Sequence, residues 1–84
     1  MVDQTVDIIG LVKAIVEPLI EYKEDLEISS SVNDEGSILI EISVHGDDAG
    51  KVIGRQGRVI KAIRTLSRAA GSRAGNHVEV ELID

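Results

Sequence analysis

The sequence contains no cysteine, tryptophan or phenylalanine, and only one proline and one tyrosine. Without cysteine there is no disulfide framework, no thiol chemistry and no thiolate metal site, which agrees with a reducing compartment. With Tyr22 as the only aromatic residue, sheet platforms that bind single strands by stacking bases on exposed rings are excluded. Long apolar runs are missing too. The most apolar N-terminal stretch, Ile8 to Val16, is interrupted by Lys13 and followed by Glu17, too short to span a bilayer and without a basic leader. The expectation is a soluble, cytoplasmic protein with no membrane insertion.

What is present is aliphatic: 12 Ile, 10 Val and 6 Leu in 84 residues. That length suits one domain, whose modest core must be packed from β-branched side chains. The net charge of −6 argues against general nucleic-acid affinity, but its distribution is uneven. Residues 1–50 hold 2 basic and 12 acidic side chains, whereas residues 51–73 hold Lys51, Arg55, Arg58, Lys61, Arg64, Arg68 and Arg73 and no carboxylate. Either this segment is a polyanion-binding face, or it is a solvated surface whose charges pair with the acidic remainder. Charge alone does not separate the two.

Apolar residues at Val6, Ile9, Val12, Val16, Leu19 and Ile20 have helical spacing over about Asp3 to Tyr22, with Pro18 forcing a kink or a break into a second short turn. Residues 22–25 read as a connector. Leu26, Ile28, Ser30 and Val32 alternate with polar residues, as do Ile38, Ile40, Ile42 and Val44, and Asn33-Asp34-Glu35-Gly36 between them predicts a β-hairpin. Gly46-Asp47-Asp48 is expected to start a short helix with an aspartate as N-cap. A second helix follows from about Arg58 to Ala70, with Val59, Ile60, Ile63, Leu66 and Ala70 inward and Gly71 as its C-terminal cap. Val78, Val80 and Leu82 close the chain as a strand. The fold class is α+β, in the order α-β-β-α-α-β. Two helices between the last two strands form a crossover, which predicts a parallel pair within a three-stranded mixed sheet, with three helices packed on one face.

Between the two later helices lies Val52-Ile53-Gly54-Arg55-Gln56-Gly57-Arg58-Val59-Ile60. Two glycines three apart let the backbone turn sharply and a phosphodiester chain approach it. The following helix offers free N–H groups at its N-terminus. Arg55 and Gln56 can donate to phosphate, with Lys51, Arg58, Lys61 and Arg64 adding positive charge nearby. A GXXG loop of this kind clamps backbone nucleotides in the KH module. The run from Val52 to Ile60, flanked by strands and basic residues, resembles the KH core motif more than an incidental glycine-rich turn. The whole chain resembles a type II KH domain over residues 1–84, with a core motif at about 37–83 and the GXXG loop at 54–57. Its size and the run Lys61-Ala62-Ile63-Arg64-Thr65-Leu66 are similar to the small bacterial single-KH RNA-binding proteins of the KhpA type. That resemblance implies single-stranded RNA as ligand, a homodimer, a KhpB (Jag)-type partner containing its own KH domain, and a role as RNA chaperone or post-transcriptional regulator. It also implies an aliphatic groove floor, for which Ile53, Ile60 and Ile63 are candidates, some of them needed for the core instead.

Other readings are weaker. Gly46 to Lys51 lacks both the glycine spacing and the Ser or Thr of a P-loop. His45 and His77 have no partner histidine at ligand spacing, and adjacent Asp47 and Asp48 suit a cap better than acid–base chemistry. No catalysis, metal or cofactor is expected. The competing function is a protein–protein adaptor with a KH fold in which RNA binding is secondary, presented by the acidic hairpin and first helix.

Overall fold

The computed structural model describes residues 4–73 and 75–83, with side chains from Ile8 onward. The expected helix start at Asp3 and the packing of Val6 lie outside the described residues. Helix α1 runs Gln4–Val16 and breaks there into a 3-10 turn, Glu17–Leu19, that carries Pro18 in its first positions. Pro18 has no N–H to continue the α-helical ladder, so the break, not a kink, is what the chain adopts. A second 3-10 turn, Lys23–Asp25, leads into strand β1, Glu27–Val32, which pairs antiparallel with β2, Ile38–Ser43. The hairpin turn is held by Asn33, whose Oδ1 accepts from the N–H groups of Glu35 (2.9 Å) and Ser37 (3.0 Å).

Helix α2, Ala49–Ile53, and helix α3, Arg58–Ser72, follow, and strand β3, Val78–Ile83, pairs parallel with β2. The sheet order is β1-β2-β3, mixed as the crossover requires. The type II order α-β-β-α-α-β is therefore the observed one. Helices lie against one sheet face only. On that face Ile38, Ile40 and Ile42 are buried with Val78 and Val80, under Ile8, Val12 and Val16 of α1, Val52 of α2, and Ile60 and Ile63 of α3.

Two details of α3 correct the sequence expectation. Leu66 points outward and is 48% exposed, while Ser67 occupies the inward position with no accessible surface. The inward line is Ile60, Ile63, Ser67 and Gly71, a strict three-and-four spacing that apolarity alone misphased. Gly71 is also not a cap. It lies within the helix, and a Cβ there would sit 2.3 Å from Val78 Cγ2 and 3.2 Å from the Asn76 carbonyl oxygen, so glycine is required for α3 to close on β3. The positive φ of the turn that follows falls at Gly75 instead, at 79°.

Candidate nucleic-acid interface

The loop geometry follows from its glycines. The Gly54 N–H closes α2 on the Gly50 carbonyl at 2.9 Å, and then Gly54 itself adopts φ 79°, ψ 171°. That region is open essentially only to glycine. Space is closed as well: a Cβ on Gly54 would meet Val59 Cγ2 at 2.4 Å and Val59 N at 2.8 Å. Gln56 (φ 58°, ψ 24°) and Gly57 (φ 74°, ψ 16°) are both left-handed, which brings the Gly57 N–H back to the Gly54 carbonyl at 3.1 Å and starts α3. Gln56 is the only non-glycine with positive φ among the described residues, a cost of about 1–2 kcal/mol held at this one loop.

The structure divides the basic segment in two. Lys51 Nζ is 3.1 Å from Asp48 Oδ1 and 4.0 Å from Glu21 Oε2, and Arg68 Nη2 is 3.4 Å from Glu79 Oε2. These two cations are balanced within the fold. Arg64 turns to the sheet, its Nε donating to the Val80 carbonyl at 3.1 Å. Arg55, Arg58 and Lys61 stand exposed beside the loop, and among the described residues none of them pairs with a carboxylate. Arg58 Nη2 donates to Gln56 Oε1 at 3.1 Å, which turns the amide NH2 of Gln56 outward as a donor. Arg73, just past the end of α3, is exposed and also pairs with no carboxylate among the described residues, so internal charge pairing accounts for only part of the basic run.

Of the three aliphatic candidates, Ile53 is 41% exposed, while Ile60 keeps 7% and belongs to the core with Ile63. The apolar surface offered beside the glycines is thus Ile53. Sequence reasoning missed Asp48, taken there for a cap. It sits at the N-cap position of α2 but caps nothing with its side chain. Its carboxylate is buried and accepts from the backbone N–H groups of Glu21 (3.0 Å) and Tyr22 (2.9 Å), tying α2 to the connector after α1. Burial pushes the carboxyl up, but those two N–H groups and Lys51 outweigh it and hold it at about 2, below the ordinary 3.8. Lys51 is raised in turn, chiefly by its hydrogen bond to Asp48. A long-range acceptor role carries no local sequence signal; the only hint was a second aspartate where one cap suffices. The cap of the preceding turn, Gly46–Asp48, is His45, whose Nδ1 accepts from the Asp47 N–H at 3.0 Å while its ring stacks on Tyr22 at 3.9 Å. His77 bonds Glu79 at 2.8 Å and, with Arg68, lowers that carboxyl.

The loop, its rim of cations and the α-β-β-α-α-β order coincide with a family match. The family described as KhpA/KhpB, KH domain, matches residues 10–82. The chain belongs to the KhpA/KhpB KH-domain family. Among curated relatives, RNA-binding protein KhpA of Bacillus subtilis (strain 168) is 40% identical over 84 residues, the full length of both chains. The KhpA of Listeria monocytogenes serovar 1/2a is 42% identical over 74 residues, 88% of this chain and 96% of that protein. The KhpA of Clostridium perfringens is 42% identical over 73 residues, 87% and 96% of the two chains. The KH-domain match covers every element of the site described above, from Asp48 to Lys61.

Proposed function

We propose that this protein binds single-stranded RNA through the Gly54–Gly57 loop. The observation that carries this reading is that Arg55, Arg58 and Lys61 stand exposed around the loop with no carboxylate partner among the described residues, while Lys51 and Arg68 are paired with Asp48, Glu21 and Glu79. Phosphates of the RNA backbone lie over the two glycines, where the peptide chain can be approached closely, and take hydrogen bonds from Arg55, the Gln56 amide and the first N–H groups of α3. Arg58 and Lys61 supply the surrounding positive potential, and Ile53 supports a base by apolar contact. Lys51, Ile60 and Arg64 act behind this surface, holding α2 and α3 in place. The RNA-binding names of the relatives support the ligand class.

The same reading includes a dimer, or pairing with a KhpB-type partner, in a cytoplasmic RNA chaperone or regulator. It is supported by α3, whose exposed Ala62, Leu66 and Ala69 form a second apolar stripe beside the basic one, small enough for another helix to approach. Two loops on one RNA would raise affinity through effective concentration.

The test is fluorescence anisotropy with a random single-stranded RNA pool, comparing wild type with Arg55→Asp/Gln56→Asp. Both glycines remain, and aspartate tolerates the left-handed conformation at position 56. Loss of binding by a variant with wild-type circular dichroism supports the clamp. Equal binding by both proteins, or binding by neither, removes it and favours the adaptor reading.

A further inference from the structure

The two sheet edges are finished differently. The Ile38 N–H donates to the His77 carbonyl at 2.8 Å, on the β3 side. Peptide groups alternate in direction along a strand, so residues 38, 40 and 42 of β2 face β3, and residues 39, 41 and 43 face β1. Their registered partners Ser31, Ser29 and Glu27 therefore face β2, and Ile28, Ser30 and Val32 turn N–H and C=O groups away from the sheet. By the same alternation the outward carbonyls of β3 include that of Val80, and Arg64 occupies it. Among the described residues, no side chain does the same for the outer groups of β1. Strand β1 also lacks lysine and proline, the residues that commonly block a free edge.

Beside this edge lies a cleft of about 280 Å³, lined by Ile9, Lys13 and Glu17 of α1, Lys23 of the connector, Leu26, and Ile28 of β1. None of its lining comes from β2, α2, the glycine loop or α3. Lys13 and Lys23 are the only two basic residues in the first 50, and both converge here. Glu17 tempers Lys13 at 3.9 Å, and Lys23 Nζ is pinned by the Ile20 carbonyl at 3.0 Å, which leaves the ammonium at the cleft with donors to spare. Farther along the same face Val32 is 60% exposed.

We propose that the outer edge of β1 is a docking site for an extended segment of another polypeptide, which adds a fourth strand and lays an apolar side chain with a neighbouring carboxylate into the Lys13–Lys23 cleft. Backbone pairing with Ile28, Ser30 and Val32 supplies the strand-to-strand bonds, and alternate side chains of the added strand fall on the helix side, where the cleft lies. Charge selects against a second copy of this chain: β1 is bracketed by Glu24, Asp25 and Glu27 at one end and Asp34 and Glu35 at the other, and two such strands would set like charges together.

The experiment is selection of a phage-displayed random octapeptide library on the immobilised full chain, then anisotropy of an enriched peptide with variants. Enriched peptides should alternate β-branched and polar residues and carry Asp or Glu. Ser30→Pro removes an outward N–H but no bond to β2. It should weaken the peptide by about tenfold or more. Lys13→Glu/Lys23→Glu, both on exposed positions, should do the same and decides the matter if the proline variant fails to fold. Arg55→Asp/Gln56→Asp should bind the peptide as wild type does, which separates this site from the RNA loop. Absence of any enriched sequence, enriched peptides that bind both edge variants as tightly as wild type, or recovery of the chain's own β1 sequence would each overturn the proposal.

Discussion

Gly54 and Gly57 share a positive φ but not the same constraint. At Gly54 both the dihedral angles and the space are closed to a side chain, because Val59 fills the volume where Cβ would lie. At Gly57 a Cβ would meet only Ile60 Cγ2, at 4.0 Å. Gly54→Ala should therefore destabilise the fold by about 2 kcal/mol or more, through strain and forced movement of Val59. Gly57→Asn, placed in a conformation that asparagine tolerates, should cost about 1 kcal/mol or less. Urea unfolding of the two variants checks the order; equal losses would mean that dihedral strain alone sets the cost. Ser67 gives a prediction of opposite sign. Its hydroxyl is buried and has no hydrogen-bond partner among the described residues, on the inward line of α3. Ser67→Ala removes an unsatisfied polar group at little change in volume, so stability should hold or rise by up to about 1 kcal/mol. A loss of stability would show that this hydroxyl has a partner in solution.

The short helix α2 is too small to be stable by itself, and two side chains position it. Asp48 fastens its start to the backbone at Glu21 and Tyr22, while Val52 anchors its underside in the core. The loop that follows α2 inherits its direction from that bond. Because the folded carboxyl lies at about 2 against an ordinary 3.8, its contribution is complete above about pH 4 and lost as pH falls through 2. Asp48→Asn, with one amide NH2 set against donors, should lower the melting temperature at neutral pH. It should also flatten the stability curve between pH 4 and pH 2 relative to wild type; an unchanged slope there would place the acid sensitivity in other carboxylates such as Glu79. Element by element, the chain announced its own architecture. The hairpin, the crossover and the loop were legible because strand alternation, Gly36 and the GXXG spacing are local signals. Leu66, Gly71 and Asp48 were misread because each is set by what packs against it from a distant part of the chain. A leucine reads as core until the helix phase is known, and a glycine near a helix end reads as a cap until β3 is found pressed on it.

At the scale of the molecule, the sheet separates two electrostatic surfaces. The helix side carries the loop and its cations. The open side carries Glu27 of β1, Glu41 of β2, and Glu79 and Glu81 of β3, with Glu41 directly in register with Glu81. Like charges side by side in adjacent strands are unfavourable, and neither Glu41 nor Glu81 has a cationic partner among the described residues. This face therefore repels a polyanion and leaves the loop side as its route of approach. If three or four phosphates are contacted, log K against log salt should fall with a slope of about −2 to −3. Replacing the opposed pair, as Glu41→Gln/Glu81→Gln, should raise stability by up to about 1 kcal/mol by removing the repulsion. The same change acts on RNA only through space. At an ionic strength of about 0.01 M the screening length is about 30 Å, comparable to the whole domain, and the variant should bind several-fold more tightly. At about 0.15 M, with screening near 8 Å, wild type and variant should converge. The slope should steepen slightly between them while the contacts stay the same. Anisotropy titrations of both proteins across that salt range make the check. An affinity gain that survives at high salt would place RNA on the open sheet face, in direct contact with positions 41 and 81, and would displace the glycine loop as the sole binding surface.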